Sequence, residues 1–111
     1  MNETTLHTLA DLADFAETQP YVLRLYVTGM TPRSTRAISA VRAICEEFLA
    51  GRFDLEIIDV YQQPARIRDE QILATPTLIK KGPEPERRMI GDMTNRARVM
   101  AGLGLREELT T

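Results

Sequence analysis

The chain has no tryptophan, one cysteine and one histidine among 111 residues. A single thiol, Cys45, excludes an internal disulfide, a Cys-x-x-Cys redox pair and a zinc site built on several cysteines. With His7 as the sole imidazole, neither a histidine-based metal site nor a nucleophile–base pair has much to build on. No metal and no cofactor is therefore expected, and no glycine-rich phosphate loop is present. No apolar run approaches the roughly 18 residues of a membrane span, so no membrane partner is expected. The N-terminus has neither a basic stretch nor an apolar one of the kind that signal peptides carry. With so little cysteine, the cytoplasm is the expected compartment.

What is present reads as one globular domain. Apolar residues make up 43% and charged residues 27%, a balance that can bury a core while keeping a solvated surface. Charge is unevenly placed. Residues 1–20 hold Glu3, Asp11, Asp14 and Glu17 and no base, whereas residues 21–105 hold thirteen bases against ten acids. Of the fourteen bases overall, only Lys80 and Lys81 are lysine. Arginine suits planar, bidentate contacts and is enriched at protein interfaces. A net +3 over residues 21–105 is too small to argue for nucleic acid.

Hydrophobic spacing gives the order of elements. Leu6, Leu9, Ala10, Ala13 and Ala16 recur at helical spacing, so residues 5–18 of a 1–20 extension are expected to form a helix. Tyr21 to Val27 is rich in β-branched and aromatic residues and reads as a strand broken by Gly29. Thr31 can cap a helix that starts at Pro32, where a missing N–H does no harm, and runs to about Ala50. Its buried stripe is Ala37, Val41, Ile44, Cys45 and Phe48. Phe53, Leu55 and Ile57 alternate with Asp54 and Glu56 in a second strand reaching Val60, parallel to the first across a right-handed crossover. Pro64 can start a short helix to about Gln71. Thr77-Leu78-Ile79 and Arg87 to Ile90 are further strands around a Gly82-Pro83-Glu84-Pro85 turn. Asp92 or Thr94 can cap a last helix from Asn95 to about Leu103, before a short tail at residues 106–111.

From residue 21 the order is βαβαββα, that of the thioredoxin fold, which makes Pro76 a candidate cis-proline before the third strand. A redox enzyme of that fold would carry its thiol between the first strand and helix, where this chain has Thr28-Gly-Met-Thr-Pro-Arg-Ser-Thr35. Cys45 falls on the buried stripe, as a small hydrophobe does. Ser34 and Thr35 near the helix start could bind an anion or act as caps. Asp59 and Asp92 could form a carboxylate pair, although a cap explains Asp92 better. A fold that often hosts enzymes, without their catalytic groups, favours a binding module.

The stretch from Tyr21 to Ser34 resembles the opening of the KaiB family of circadian clock proteins. Ile58-Asp59-Val60 with Pro64, Ile72-Leu-Ala-Thr-Pro-Thr-Leu78 and Ile90-Gly-Asp92 resemble further family motifs, in order and spacing, over residues 21–105. The resemblance implies a protein without catalytic activity that binds a KaiC-type hexameric ATPase. It also implies two folds: a tetramer or dimer with the order βαββααβ, and a thioredoxin-like monomer that binds the ring. KaiA and a sensor kinase with a KaiB-like domain are further partners it implies.

By the same resemblance, Arg36, Lys80, Arg87 and Arg88 form the ring-facing surface. Gly102 and Gly104 fall on a Gly-Leu-Asp of the last helix that sets the balance between folds, with Gly104 replacing the aspartate. The 20-residue N-terminal extension and the short tail depart from cyanobacterial members, so stress or light signalling is as compatible as clock timing. The alternatives are a thioredoxin-fold protein that binds glutathione or another anion near Ser34, and a structural oligomer assembled through its N-terminal helix.

Overall fold

A computed structural model describes residues 19–105. The expected helix at residues 5–18 and the tail at 106–111 lie outside the described residues. The elements are β1 (Tyr21–Val27), α1 (Pro32–Phe48), β2 (Phe53–Asp59), α2 (Pro64–Glu70), β3 (Thr77–Gly82), β4 (Arg87–Ile90) and α3 (Arg96–Leu103). The order is the thioredoxin-like βαβαββα rather than the alternative βαββααβ.

The four strands form one sheet in the order β2-β1-β3-β4, with β1 parallel to β2 and antiparallel to β3, and β3 antiparallel to β4. β1 is central and its residues feed cores on both faces, which is why Leu25, Tyr26 and Val27 are buried in succession instead of alternating. One face packs Leu23, Leu25, Leu78 and Met89 against Val41, Ile44 and Cys45 of α1 and Val99, Met100 and Leu103 of α3. The other face gathers Tyr26, Ile58, Val60, Ile72 and Ile79 beneath the half-buried Ile67 of α2.

Thr31 caps α1 as expected: its Oγ1 accepts from the Ser34 N–H at 3.1 Å, and Pro32 occupies the first turn. The helix stops at Phe48, two residues short of Ala50, with Leu49 as its C-cap. β2 ends at Asp59, one residue short of Val60, and the Asp59 carbonyl accepts from the Gln62 and Gln63 N–H groups, both at 3.0 Å, in the turn that follows. The cap of α3 is Asn95, whose Oδ1 accepts from the Arg98 N–H at 3.1 Å, and not Asp92 or Thr94. Asp92 instead closes its own turn, accepting from the Thr94 N–H at 2.9 Å and the Thr94 hydroxyl at 2.6 Å. Both side chains can cap, but Asp92 and Thr94 satisfy each other and leave the helix start to the next residue. The Thr75–Pro76 bond is cis, as are Gly82–Pro83 and Glu84–Pro85.

Unlike α1 and α3, α2 has no fully buried residue and is tied to the sheet mainly through charge. The Glu70 side chain, 12% exposed, meets Arg24 of β1 at 2.5 Å and Lys81 of β3 at 2.7 Å. Arg66 of α2 makes two hydrogen bonds to Glu56 of β2, at 2.7 and 3.1 Å. Arg88 of β4 donates to the carbonyls of Glu70 and Gln71 at the C-terminal end of α2. Burial alone would raise the Glu70 carboxyl, but Lys81 and then Arg24 outweigh it and hold it below the usual carboxylate range. A depressed carboxylate stabilises the fold above its unfolded-state pKa, and that contribution disappears as pH falls through the lower folded value. Glu70→Gln should therefore lower stability at neutral pH by about 1–2 kcal/mol, since it leaves two cations short of their anion. The deficit against the parent should begin to shrink below roughly pH 4, the ordinary carboxylate value, and should close only at the lower pH where the folded parent's carboxylate is itself protonated. Urea unfolding of both chains at the two pH values checks it.

Candidate functional site

The loop after β1, where thiol enzymes of this fold carry their chemistry, is filled here by hydroxyl groups that satisfy one another. Ser34, 4% exposed, donates to Thr28 O at 3.1 Å, and its Oγ lies 2.9 Å from the Thr31 hydroxyl. The Thr28 hydroxyl hydrogen-bonds that of Thr75, the residue before Pro76. Ser34 N–H is taken by Thr31 Oγ1 and Thr35 N–H by Thr31 O, so neither amide is left for an anion at the helix start. Asp59 is likewise occupied: its Oδ1 accepts from Gly29 N–H at 3.1 Å and Tyr61 N–H at 2.9 Å, lashing the β1–α1 loop to the end of β2. Asp59 and Asp92 thus serve backbone turns at separate places. Cys45 is fully buried in α1, and burial, reinforced by Glu46, pushes its thiol up to about 11. The reactive thiolate is accordingly disfavoured there.

Four basic residues were expected on one surface, and the sheet distributes them. Lys80 of β3 and Arg87 of β4 are cross-strand partners. They lie two residues along from the buried Leu78–Met89 pair and hence on the α1 and α3 side of the sheet. Arg88, one residue on, belongs to the opposite face and secures α2. Arg36 stands on the first turns of α1, exposed, beside a cleft of about 320 Å³ that Arg33, Pro76, Asp92 and Thr94 also line. Thr94 first, and then Arg33 and Arg36, hold the Asp92 carboxyl below its usual range. Of the four, Lys80 and Arg87 are brought together, Arg36 sits near the other end of the sheet, and Arg88 is structural as well as exposed.

The two glycines assigned to fold balance sit in α3 and at its end. Gly104 is the C-cap with φ +75°, a left-handed conformation natural to glycine and costly for most side chains. A Cβ on Gly102 would fall within 3 Å of Met89 Sδ and Cγ, so α3 approaches β4 closely at that point.

Sequence reading did not single out the exposed apolar residues. Leu73 is 90% exposed, Met30 82%, Tyr61 74% and Ile90 47%. Leu73 and Ile90 line one open groove with Ile67, Ile72, Thr77 and Arg88, on the α2 side of the sheet. Exposed apolar patches rimmed by arginine mark protein contacts more often than catalysis. Periodicity cannot reveal such residues, because an apolar side chain counts as buried until the fold says otherwise.

Among the described residues, no group of three or more His, Cys, Asp or Glu side chains is placed to hold a metal ion. Among the same residues, no helix is long and apolar enough to cross a membrane.

Comparison with known proteins adds to this geometry. A family model described as the KaiB domain matches residues 24–105. The circadian clock protein KaiB3 of Synechocystis is 50% identical over 84 residues, covering 76% of this chain and 82% of that protein. Among solved structures, the N-terminal domain of Synechococcus elongatus SasA superposes with a TM-score of 0.64 at 27% identity, covering 83% of this chain and 90% of that one. Mitochondrial thioredoxin 3 of Saccharomyces cerevisiae superposes with a TM-score of 0.63 at 11% identity, over 86% of this chain and 88% of that one, a likeness of fold alone.

Proposed function

The chain belongs to the KaiB family, and from that premise we propose that it is a non-catalytic regulatory protein of circadian timing or a related signalling pathway. It acts by docking on a KaiC-type hexameric ATPase as the thioredoxin-like chain described above, with residues 21–105 as the working domain. One observation carries this reading: a thioredoxin-like scaffold whose catalytic loop is closed by hydroxyl pairs while apolar and arginine side chains stand exposed around it. Such a surface binds a protein and offers no nucleophile to a substrate.

The thioredoxin-like order is the docking form, and an oligomer with the other order is its reservoir. If the competent form is a fraction of the total, apparent affinity falls by that fraction and binding is slow until the ring selects it. KaiA and a sensor kinase with a KaiB-like domain are the expected co-ligand and competitor in hosts that possess them. The protein works in the cytoplasm in this reading.

The test is a titration of the chain against a purified KaiC-type hexamer from the same source, followed for hours. Saturation near one chain per ring subunit is expected. Absence of binding in every nucleotide and phosphorylation state would overturn the proposal.

A further inference from the structure

Among the described residues β4 forms one edge of the sheet, and beside it on the α2 side runs an open groove of about 650 Å³. Ile67, Ile72, Leu73 and Ile90 give it apolar walls, of which Leu73 and Ile90 stand exposed. The charged residues that line it, Arg68 and Arg88, are both bases. Such a groove leaves apolar surface in water beside an open strand edge, two liabilities that a covering helix removes together.

The chain carries a segment of matching chemistry and length. Residues 1–20 hold four acids and no lysine or arginine, and Leu6, Leu9, Ala10, Ala13 and Ala16 recur at helical spacing. The segment joins the fold at Gln19, beside Pro83 and Glu84 of the turn that leads into β4. Leu9 and Leu6 lie ten and thirteen residues before Gln19, which a helix spans in about 15 and 20 Å. The Tyr26–Thr77–Ile90 row of the sheet stands five residues beyond Tyr21, or about 17 Å along the strands. Both leucines therefore come level with the Ile90 end of the groove. Asp14, about 8 Å along the same helix, comes level with the Arg24–Ile79–Arg88 row at about 10 Å. The alanines of the stripe allow a close approach to the strand.

We propose that residues 5–18 form a helix that lies along β4 on the α2 side, seating Leu6 and Leu9 against Leu73 and Ile90 with its acids near Arg68 and Arg88. The occupant is this chain's own segment, because tethering at Gln19 presents it to the groove at an effective concentration on the order of millimolar. A second copy or a separate partner has to compete with that. The inference stands apart from ring docking and needs no other protein.

Paramagnetic broadening in the full chain tests it. Thr8 lies opposite the apolar stripe, so Thr8→Cys carries a nitroxide away from the contact. Cys45 is fully buried, with its thiol pushed up to about 11, and stays unlabelled. The label should broaden the amide signals of Leu73, Thr77 and Ile90 and spare those of Phe53 and Asp54 at the far corner of the sheet. Leu6→Asp combined with Leu9→Asp should abolish the broadening and leave the β1 and β2 signals in place. Arg68→Glu, at an exposed position on α2, provides a second comparison should the double variant not fold, and it should reduce the broadening. Broadening confined to another face, or spread evenly over the surface, overturns the proposal. So does broadening that both variants leave unchanged. In a mixture of nitroxide-labelled chain with isotope-enriched unlabelled chain, broadening of the enriched chain places the segment on a second copy and overturns it as well.

Discussion

Leu103→Ala should shift urea unfolding to a midpoint corresponding to about 3 kcal/mol less stability, within a range of roughly 2–5. Leu103 is fully buried, and it ends the helix that closes the α1 side of the sheet. α3 is held by three side chains, Val99, Met100 and Leu103, and the next residue, Gly104, turns the chain away in a left-handed cap. Deleting the side chain leaves a cavity in the core that α3 closes, and a short helix has little else with which to fill it. The loss should be local first. Amide protons of α3 and β4 should lose protection before those of β1 and β2, because the first βαβ unit keeps its own core around Leu25, Val41 and Ile44. A change below about 1 kcal/mol would mean that α3 contributes little to the packed state.

Arg36→Glu combined with Arg87→Glu should weaken ring binding by about 100-fold while changing the unfolding free energy by less than roughly 0.5 kcal/mol. Both side chains are exposed, so their reversal disturbs little within the fold. They stand at different ends of the sheet, Arg36 by Pro76 and Arg87 opposite Lys80, and distant sites contribute additively. Each single reversal should therefore account for about a tenfold loss, and a single change that carries the whole effect would locate the interface at that end. Arg88→Glu is the contrasting case. It removes the donors that hold the Glu70 and Gln71 carbonyls, so it should lower stability and ring affinity together. Unchanged affinity in the double reversal would remove both arginines from the docking surface.

Much of the fold is legible because its boundaries are written in local chemistry. Thr31-Pro32 and Pro64 open helices where they stand, Gly104 adopts the positive φ that caps α3, and Arg87 to Ile90 forms a strand of the expected residues. Boundaries failed where several near neighbours could do the same work: Asp92, Thr94 and Asn95 are all capping types, and only the folded turn decides which is free to cap. The two faces of β1 were also hidden. An apolar run from Leu25 to Val27 carries no alternation from which to tell one face from the other.

The candidate site was less legible than the fold. The resemblance marked Lys80, Arg87 and Arg88 as one surface, whereas strand alternation separates Arg88 from the other two. That signal was available: Leu78 and Lys80 share a face in any strand beginning at Thr77, and an apolar neighbour two residues away warns of burial. The network centred on Glu70 was beyond reach, since Arg24 lies 46 residues away and nothing local pairs them. Nor could the sequence say that Leu73 would be exposed in the segment that leads to cis-Pro76.

The central claim is that the chain docks on the ring in its thioredoxin-like form. Amide hydrogen exchange of the chain in the saturated ring complex tests it most directly. Protection should cover the β1–β3 and β3–β4 ladders together, including Leu23 with Lys80 and Leu78 with Met89, and should persist in α3. A ring-bound chain with β1 and β2 protected but β3, β4 and α3 exchanging freely would contradict the account, because a different arrangement of the second half would then be the one that docks.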